Sequence, residues 1–377
     1  MFGIIYRQIE DNDIRYFDIT HGFRSIPMLV LSVIEYAKVL KNVTVGGIYY
    51  GAFEASVHKD EGMRTTPIFD LTTYSDILNW SNAADEFIRY GTANQIKDLF
   101  GRLKVRTIRN RDSEEAEKYK AIDGTVNALY KVTRALDTGR GCYSQKANPD
   151  NSIQKAYLVY RDKREKLSED LVGAFQPLKA LFDKIDQKTS VFDQSGNFSV
   201  GYAAVQWAID HDMIQQGYTA MNETIKTLVC DLAGVPNDAK FWREEFAQKI
   251  LTAYDIGKKR KGISSEWTFK DRETCYNIWT TDGRKMILKD LLSGEKSEIA
   301  KAGMNEHETL NRAAGIIYNF PDKLFQIAKE VGEKRNDINH FGFRPDPMLV
   351  NSLKDNLAEQ KKELDGLLSV LFSIDIE

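Results

Sequence analysis

The sequence predicts an α/β region of about 80 residues followed by a longer all-α region. Three observations lead to this fold class. A strand, an apolar helix and a second strand follow one another within residues 14–53, helical periodicity dominates from residue 76 onward, and the 377 residues include only eight Pro. Because strand–helix–strand units place their strands in parallel, the first region should contain a mostly parallel sheet. The remainder should form packed helices.

The composition indicates folded domains and excludes a chain that is disordered throughout. Hydrophobic residues make up 42% and charged residues 28% of a chain long enough for two hydrophobic cores. The 52 Lys and Arg residues nearly balance the 55 Asp and Glu residues, which excludes a globally basic nucleic-acid binder but permits a local basic groove. The three Cys residues are too scattered for a disulfide framework or a zinc ribbon. Without a bilayer-spanning apolar run or a signal peptide, we expect a soluble cytoplasmic protein with no membrane partner.

The first region alternates between strand and helix signals. Residues 14–19 form a β-rich run that ends in a polar turn, and residues 45–53 and 66–71 are predicted as further buried strands. Between the first two strands, residues 26–40 are predicted as an apolar helix with Ser25 as its N-cap. The polar turn therefore lies where a strand leads into a helix N-terminus.

Polar, glycine-containing loops at residues 189–201 and 257–285 interrupt the helical region. We therefore expect three parts: an α/β domain at 1–80, a helical connector at 81–190 and a helical domain at 191–377. The predicted helices cover residues 76–90, 93–104, 114–137, 151–187, 203–232, 238–255, 304–318, 321–334 and 347–372.

The sequence DITHGFRSIP, residues 18–27, fills the turn between the first strand and the apolar helix. Ligands of open α/β sheets bind at the carboxyl ends of strands, and a helix N-terminus adds free N–H groups and a positive dipole end. Thr20 offers a hydroxyl, Gly22 allows close backbone approach, and Arg24 offers a guanidinium. The turn suits a phosphate-bearing ligand, and the same residues also fit an ordinary capped junction.

The sequence RNDINH, residues 335–340, contains the parts that metal-independent RNA cleavage needs. A base must activate the ribose 2′-hydroxyl, an acid must protonate the leaving 5′-oxygen, and a cation must stabilise the phosphorane. His340 suits proton transfer near neutral pH, Arg335 suits bidentate phosphate contact, and Asn336 can position the phosphate or the imidazole. A solvated helix end explains the same residues, because an Arg and a His at this spacing also occur together by chance.

Helix geometry constrains how Arg335 and His340 can act together. Residues five apart are rotated by about 140° on a straight helix, so His340 should lie at the helix end or in the turn. The sequence FGFRP that follows at residues 341–345 contains the Gly and Pro that stop helices. One His supplies one proton-transfer group, and a two-fold dimer would supply a second His and a second Arg.

The remaining candidates each have a structural and a functional interpretation. His211 lies in the apolar stripe of the predicted helix 203–232, where it is either a buried core residue or a group that supports the Arg335 site. The basic runs at 104–111 and 258–261 are either solvated surface or contacts to an RNA backbone. No two His residues are spaced as metal ligands with a carboxylate, so we expect no metal site. P-loop, dinucleotide-binding and α/β-hydrolase motifs are absent from the sequence.

Two of these motifs together resemble a known family. DITHGFRSIP followed by GGIYYGAFEA at residues 46–55 resembles the CARF domain of the CRISPR-associated DxTHG family. In that family a helical HEPN domain follows, with an Arg-x(4–6)-His motif near the C-terminus, which is where Arg335 and His340 lie. Residues 207–223 also look like the family's first HEPN helix. The resemblance implies a Rossmann-like CARF domain that here lacks its usual first strand and loop, then a helical connector and a HEPN domain.

The resemblance further implies a homodimeric type III CRISPR effector of antiviral defence. Its paired CARF domains would bind cyclic tetra- or hexa-adenylate as an allosteric activator, and its paired HEPN domains would cut single-stranded RNA through 2′-hydroxyl attack without a metal or other cofactor. The alternatives are a nucleotide-sensing dimer that does not cut, and a ring nuclease that degrades the messenger at the turn.

Asp18 would support the loop, because its charge disfavours an anionic ligand. Carried over by position, the activator site would comprise Thr20, His21, Gly22 and Arg24, and the ribonuclease site would comprise Arg335, Asn336 and His340.

Overall fold

The computed structural model contains a small mixed sheet followed by a long series of helices. It describes residues 1–20, 25–58, 64–107, 113–141, 148, 151–167, 176–252, 277–279, 285–287, 296–343 and 345–372. The strands are β1 (Ile14–Asp18), β2 (Thr44–Gly51), β3 (Val57–His58), β4 (Arg64–Thr65), β5 (Ile68–Asp70), β6 (Asn277–Trp279) and β7 (Lys285–Ile287).

Most helices come after the three-stranded sheet in the chain, but the first precedes β1 and the second lies between β1 and β2. Those up to residue 189 are α1 (Phe2–Arg7), α2 (Ser25–Lys41), α3 (Thr72–Tyr90), α4 (Asn94–Thr107), α5 (Ser113–Asp137), α6 (Ile153–Glu165) and α7 (Gln176–Thr189). The later helices are α8 (Asn197–Asp210), α9 (Ile214–Leu232), the π-helical α10 (Phe241–Ala247), α11 (Lys296–Lys301), α12 (Glu306–Asn319), α13 (Asp322–Asn339) and α14 (Val350–Leu371).

The three-stranded sheet has the order β1–β2–β5, with β2 in the middle. β1 and β2 are parallel, with Ile14 opposite Thr44, and α2 connects them, which confirms the strand–helix–strand prediction. β5 is antiparallel to β2, so the prediction of a mostly parallel sheet is wrong for the third strand. The described part of the connection between β2 and β5 forms a 3₁₀ turn and the antiparallel β3–β4 pair, and it lacks the crossover helix that usually joins parallel strands.

Helix α2 contributes to both small cores of the first region. It begins at Ser25, so the residue predicted as the N-cap is instead the first residue of the helix. Ile34 of this helix packs with Val45 and Ile48 of β2. Val33, also on α2, belongs to a second small cluster beside α1. Large apolar side chains on the two edge strands stay exposed, which leaves much of this sheet without packing partners among the described residues. These exposed side chains are Ile14, Tyr16, Ile68 and Phe69.

Two large hydrophobic clusters hold the helical region together. The first unites α3–α7 with α8 and includes Phe87 and Phe182, and the second unites α8–α14 and includes Tyr218. Helix α8 contributes to both clusters, because Trp207 packs in the first and Val205 in the second. The two helical blocks on either side of residue 190 are therefore joined by a shared helix.

The predicted helix 203–232 is wrong, because the structure has two helices, α8 and α9, in its place. Asp212 separates them with a φ of 60°, a left-handed conformation that Asp adopts more readily than most residues. The helices then pack closely against each other, since a Cβ on Gly217 would lie 3.2 Å from the Cβ of Ala208. The apolar stripe continues across the turn because both helices face shared cores, so periodicity alone did not indicate the break.

Other differences concern element ends. The predicted helix 151–187 is described as α6 and α7, and residues 168–175 between them lie outside the described residues. The predicted loop 189–201 is too long, because α8 begins at Asn197. The predicted helix 238–255 begins with the π-helical turns of α10.

The predicted loop 257–285 is described at residues 277–279 and 285. There, β6 pairs with β7 in an antiparallel ribbon that the sequence did not predict. The basic run 258–261 lies outside the described residues, and the run 104–111 is described as far as the end of α4. In the part of the chain that the structure describes, no helix combines the length and apolar character needed to cross a bilayer.

Candidate functional site

Helix α13 carries Arg335 and Asn336 near its end, and His340 is the C-cap residue that follows it. The backbone N–H of His340 donates a hydrogen bond to the carbonyl oxygen of Asn336, at 3.0 Å. This agrees with the prediction that His340 lies at the helix end rather than on the helix face of Arg335. The imidazole is exposed, as is the side chain of Asn336, while Arg335 is half-buried.

A Schellman motif closes α13 directly after His340. The N–H of Phe341 donates to the carbonyl of Ile338 at 2.9 Å, and the N–H of Gly342 donates to the carbonyl of Asp337 at 3.0 Å. Phe341 has a φ of 59° and Gly342 a φ of 67°. The prediction that this sequence stops the helix is confirmed, although Phe341 rather than Gly342 takes the position where glycine is usual. A left-handed non-glycine residue costs about 1–3 kcal/mol, so the surrounding contacts must stabilise the turn.

Asp337 provides one of these contacts. Its side chain is buried, and one carboxylate oxygen accepts a hydrogen bond from the backbone N–H of Met348 at 3.2 Å. Met348 lies just before α14, so this bond ties the start of α14 to the end of α13. The N–H of Phe343 also donates to the carbonyl of His340 at 3.0 Å. His340 is therefore held in a turn with several fixed backbone positions.

Arg335 and Asn336 line a groove of about 460 Å³ between α13, α9 and the helical residues that follow α10. This volume falls within the range of small-ligand pockets. Ile225 of α9 and Leu251 give the groove apolar walls, and Asn222 adds an amide. The Nε atom of Arg335 is buried and has no hydrogen-bond partner among the described residues. A buried donor without an acceptor is costly, so this nitrogen is a strained feature of the site.

The structure brings Arg335 and Asn336 to one groove but leaves His340 outside the lining of that groove. Within one chain, Arg335 and His340 therefore do not share this groove. This is the arrangement that the 140° rotation predicts.

Two aromatic side chains in the turn were missed as functional candidates. Phe341 is 84% exposed and Phe343 is 89% exposed, and their rings stack with centroids 6.4 Å apart and an interplanar angle of 22°. The sequence predicts only the end of a helix there, from its Gly and Pro residues. The available signal was the pair of large aromatic residues flanking Gly342 in a polar turn.

The turn after β1 places Thr20 beside the end of β2. The hydroxyl oxygen of Thr20 accepts a hydrogen bond from the backbone N–H of Gly51 at 2.8 Å. The Thr20 N–H in turn donates to the Asp18 carboxylate at 2.8 Å, which confirms that Asp18 supports the loop. The other predicted contacts of this site, His21, Gly22 and Arg24, lie outside the described residues.

His211 is a buried residue of the turn between α8 and α9. Its Nδ1 lies 2.7 Å from the carbonyl oxygen of Trp207, its Nε2 lies 3.4 Å from Nζ of Lys188, and its ring packs on the Trp207 ring. Burial lowers the pKa of His211. The residue has its hydrogen-bond partners and does not line the Arg335 groove, so the structure favours the core interpretation. Within the described ranges, no group of three His, Cys, Asp or Glu side chains is arranged to hold a metal ion.

Comparison with known proteins gives one informative similarity. No model of a known protein family matches the chain. The chain is 26% identical over 265 residues to "CRISPR-associated protein MJ1674" of Methanocaldococcus jannaschii, and the match covers 70% of this chain. The same match covers 36% of the relative, so the chain spans little more than a third of that protein's length. Over most of its length, the chain is therefore similar to one part of a CRISPR-associated protein.

Proposed function

We propose that this protein is a metal-independent endoribonuclease of CRISPR antiviral defence that cuts single-stranded RNA after binding a cyclic oligoadenylate. The observation that carries the proposal is the end of α13, where Arg335 and Asn336 line a groove and His340 caps the helix. The similarity to a CRISPR-associated protein supports the defence role. The resemblance of the turn after β1 to a CARF motif supports nucleotide sensing.

The chemistry requires two proton transfers and stabilisation of one anionic intermediate. As general base, His340 takes the proton of the ribose 2′-hydroxyl, and the 2′-oxygen forms a bond to phosphorus. Arg335 stabilises the charge of the phosphorane, and Asn336 holds a phosphate oxygen or the imidazole. The bond from phosphorus to the 5′-oxygen then breaks, and that oxygen receives a proton from an imidazolium. The products are a 2′,3′-cyclic phosphate and a 5′-hydroxyl.

A second copy of the chain completes this scheme. Each chain contributes one His at the site, whereas base and acid are needed in the same turnover. Two helix ends related by a two-fold axis would bring two imidazoles and two guanidiniums to one phosphate. The exposed turn after α13 leaves His340 free to meet a partner, since its side chain faces solvent in the single chain.

The activator site would lie at the turn that contains Thr20. The strand end and the helix N-terminus of α2 offer hydrogen-bond donors to phosphates, and Asp18 with Gly51 fixes Thr20 in place. The messenger activates cleavage only if it binds the cutting conformation more tightly than the idle one. Thr20→Val should therefore raise the messenger concentration needed for half-maximal activation.

The test is an RNA cleavage assay in EDTA with full-length protein, with and without cyclic tetra- and hexa-adenylate. We expect cleavage that persists in EDTA, increases with one messenger and falls at least 100-fold in His340→Ala. The matched control is His307→Ala, because His307 is an exposed histidine of α12 outside the site. No cleavage by the wild-type chain under any condition would favour a sensing dimer. Messenger loss that survives His340→Ala would favour a ring nuclease.

A further inference from the structure

The turn that follows His340 exposes two aromatic rings to solvent. Phe341 and Phe343 are each more than four-fifths exposed. This is unusual, because phenylalanine side chains are normally buried in the core or in an interface. Their rings are nearly parallel, and both residues lie in the turn that directly follows His340. The cleavage chemistry proposed above uses neither ring.

The backbone conformation of Phe341 makes its ring harder to explain by folding alone. Phe341 occupies the C′ position of the Schellman motif with a φ of 59°, where the usual residue is glycine. A β-carbon at this φ is strained, and the exposed ring gains no packing from the core in return. Local folding energy therefore favours glycine at this position, which indicates that the ring serves a purpose outside the fold.

The position of the rings points to the bases of a single-stranded RNA. A phosphate held between Arg335 and His340 would place the flanking nucleotides along the turn that begins at residue 341. Exposed aromatic faces bind such bases by stacking, and stacking tolerates any base because every base has a π-face. The turn is also pre-ordered, because Asp337 holds it through Met348 and the Schellman bonds fix its backbone.

We propose that Phe341 and Phe343 form a stacking platform that binds the bases next to the scissile phosphate. This inference rests on the proposed ribonuclease function, because the scissile phosphate defines where the platform acts. A contact between two copies of the chain is the competing use of the surface. It would use aliphatic neighbours as well, such as Leu349, which is 78% exposed at the start of α14. Stacking needs aromatic faces, so Leu349 distinguishes the two uses.

The test measures binding of a fluorescent single-stranded RNA to full-length protein in a His340→Ala background, where the RNA stays intact. Phe341→Gly and Phe343→Ala should each weaken the affinity about tenfold, and Phe341→Trp should retain it. Leu349→Ala is the control and should leave the affinity unchanged. Phe341→Gly should fold at least as stably as the parent, because glycine relieves the left-handed strain, so its loss of affinity cannot be attributed to unfolding.

Two results would overturn the platform. The first is RNA affinity unchanged in both Phe341→Gly and Phe343→Ala. The second is an equal loss of dimer in Phe343→Ala and Leu349→Ala by light scattering, which would assign the surface to contact between copies. Cleavage by the otherwise wild-type chain is measured in parallel. If that cleavage occurs while affinity is unaffected by the Phe variants, the platform fails and the ribonuclease proposal stands. If cleavage is absent, the ribonuclease proposal itself fails.

Discussion

The α/β region and the helical region differ in how completely they bury their apolar side chains. The first has two small clusters around α2, and its edge strands expose Ile14, Tyr16 and Ile68. The second has two large clusters joined through α8, in which many aromatic side chains are fully buried. Since buried apolar area is the main source of stability, the helical region should contribute the larger share of the folding free energy. The α/β region depends more on what covers its sheet.

The largest effect should come from the end of α13, the part of the helical region where we propose that RNA is cleaved. Arg335→Lys keeps the charge but loses the planar, two-pronged donor, so we expect cleavage to fall about 100-fold with little change in folding. The measurement is single-turnover RNA cleavage, with circular dichroism to check the fold. Arg89→Lys, an exposed ion-pair residue of α3, is the matched control and should retain full activity. Equal activity in both variants would contradict a catalytic role for Arg335.

A matched pair of isoleucines tests the difference in core size. Ile225 in the large second cluster and Ile34 in the first region are each 1% exposed. Ile225→Ala should lower the free energy of unfolding by about 4 kcal/mol, and Ile34→Ala by about 2 kcal/mol, because a small cluster collapses around a cavity more easily. Urea denaturation followed by tryptophan fluorescence measures both. A larger cost for Ile34→Ala would show that the first region is the better packed of the two.

A matched pair of helical glycines examines close packing within the helical region. A Cβ on Gly217 would lie 2.4 Å from a terminal methyl of Leu357, whereas a Cβ on Gly366 would meet nothing within 4 Å. Gly217→Ala should therefore destabilise the protein by about 1–3 kcal/mol. Gly366→Ala should stabilise it by up to about 1 kcal/mol, since alanine is the better helix former. Thermal denaturation compares the two, and a neutral Gly217→Ala would mean that α9 and α14 can move apart at little cost.

The smallest effect is the pH dependence that His211 adds to the helical region. Burial keeps the folded-state pKa of His211 below that of the unfolded chain, for which 6.5 is the ordinary value. The unfolded state therefore binds more protons in this window, so the free energy of unfolding should fall as the pH drops through 6.5. Lys188 beside Nε2 acts in the same direction, and Asp210 opposes it.

His211→Asn tests this linkage, because an amide can replace the Nδ1 hydrogen bond without titrating. The decrease in melting temperature between pH 7.5 and pH 5.5 should be smaller in the variant than in the wild type. His307→Gln is the control for an exposed histidine and should keep the wild-type slope. An unchanged slope in His211→Asn would mean that other groups cause the pH dependence.

The sequence predicted that His340 lies at a helix end or in a turn because two independent physical signals agreed there. The predicted bounds of this helix, 321–334, were wrong at the second end, since α13 continues to Asn339. The spacing of Arg335 and His340 required a helix end, and Gly342 with the nearby prolines supplied one. Similar agreement between an apolar run and flanking turn residues predicted β1, α2 and β2. By contrast, the separation of α8 and α9 rests on one left-handed residue, Asp212, in a stripe that stays apolar on both sides. The antiparallel β5 was missed because strand direction follows from the connection, which short-range patterns do not specify.

The groove beside Arg335 could not be predicted from local sequence. Its walls come from α9, from the helical residues after α10 and from α13. The first and last of these are about a hundred positions apart in the chain and meet only through tertiary packing. Phe341 and Phe343 are visible in the sequence, but they do not belong to an amphipathic pattern. Hydrophobic periodicity therefore did not indicate whether they are buried or exposed. The charge and spacing of RNDINH therefore indicated a site, and the packing supplied the surface around it.

Helix α8 has a consequence for how the protein melts. Its Trp207 belongs to the connector core and its Val205 to the core that surrounds α13, so unfolding either block removes a wall from the other. Because α8 belongs to both cores, unfolding one block while the other stays folded would expose apolar side chains of α8. Calorimetry should therefore show the two blocks melting as one cooperative unit. The heat tolerance of the candidate site would then depend as much on helices α3–α7 as on the helix end that carries Arg335 and His340.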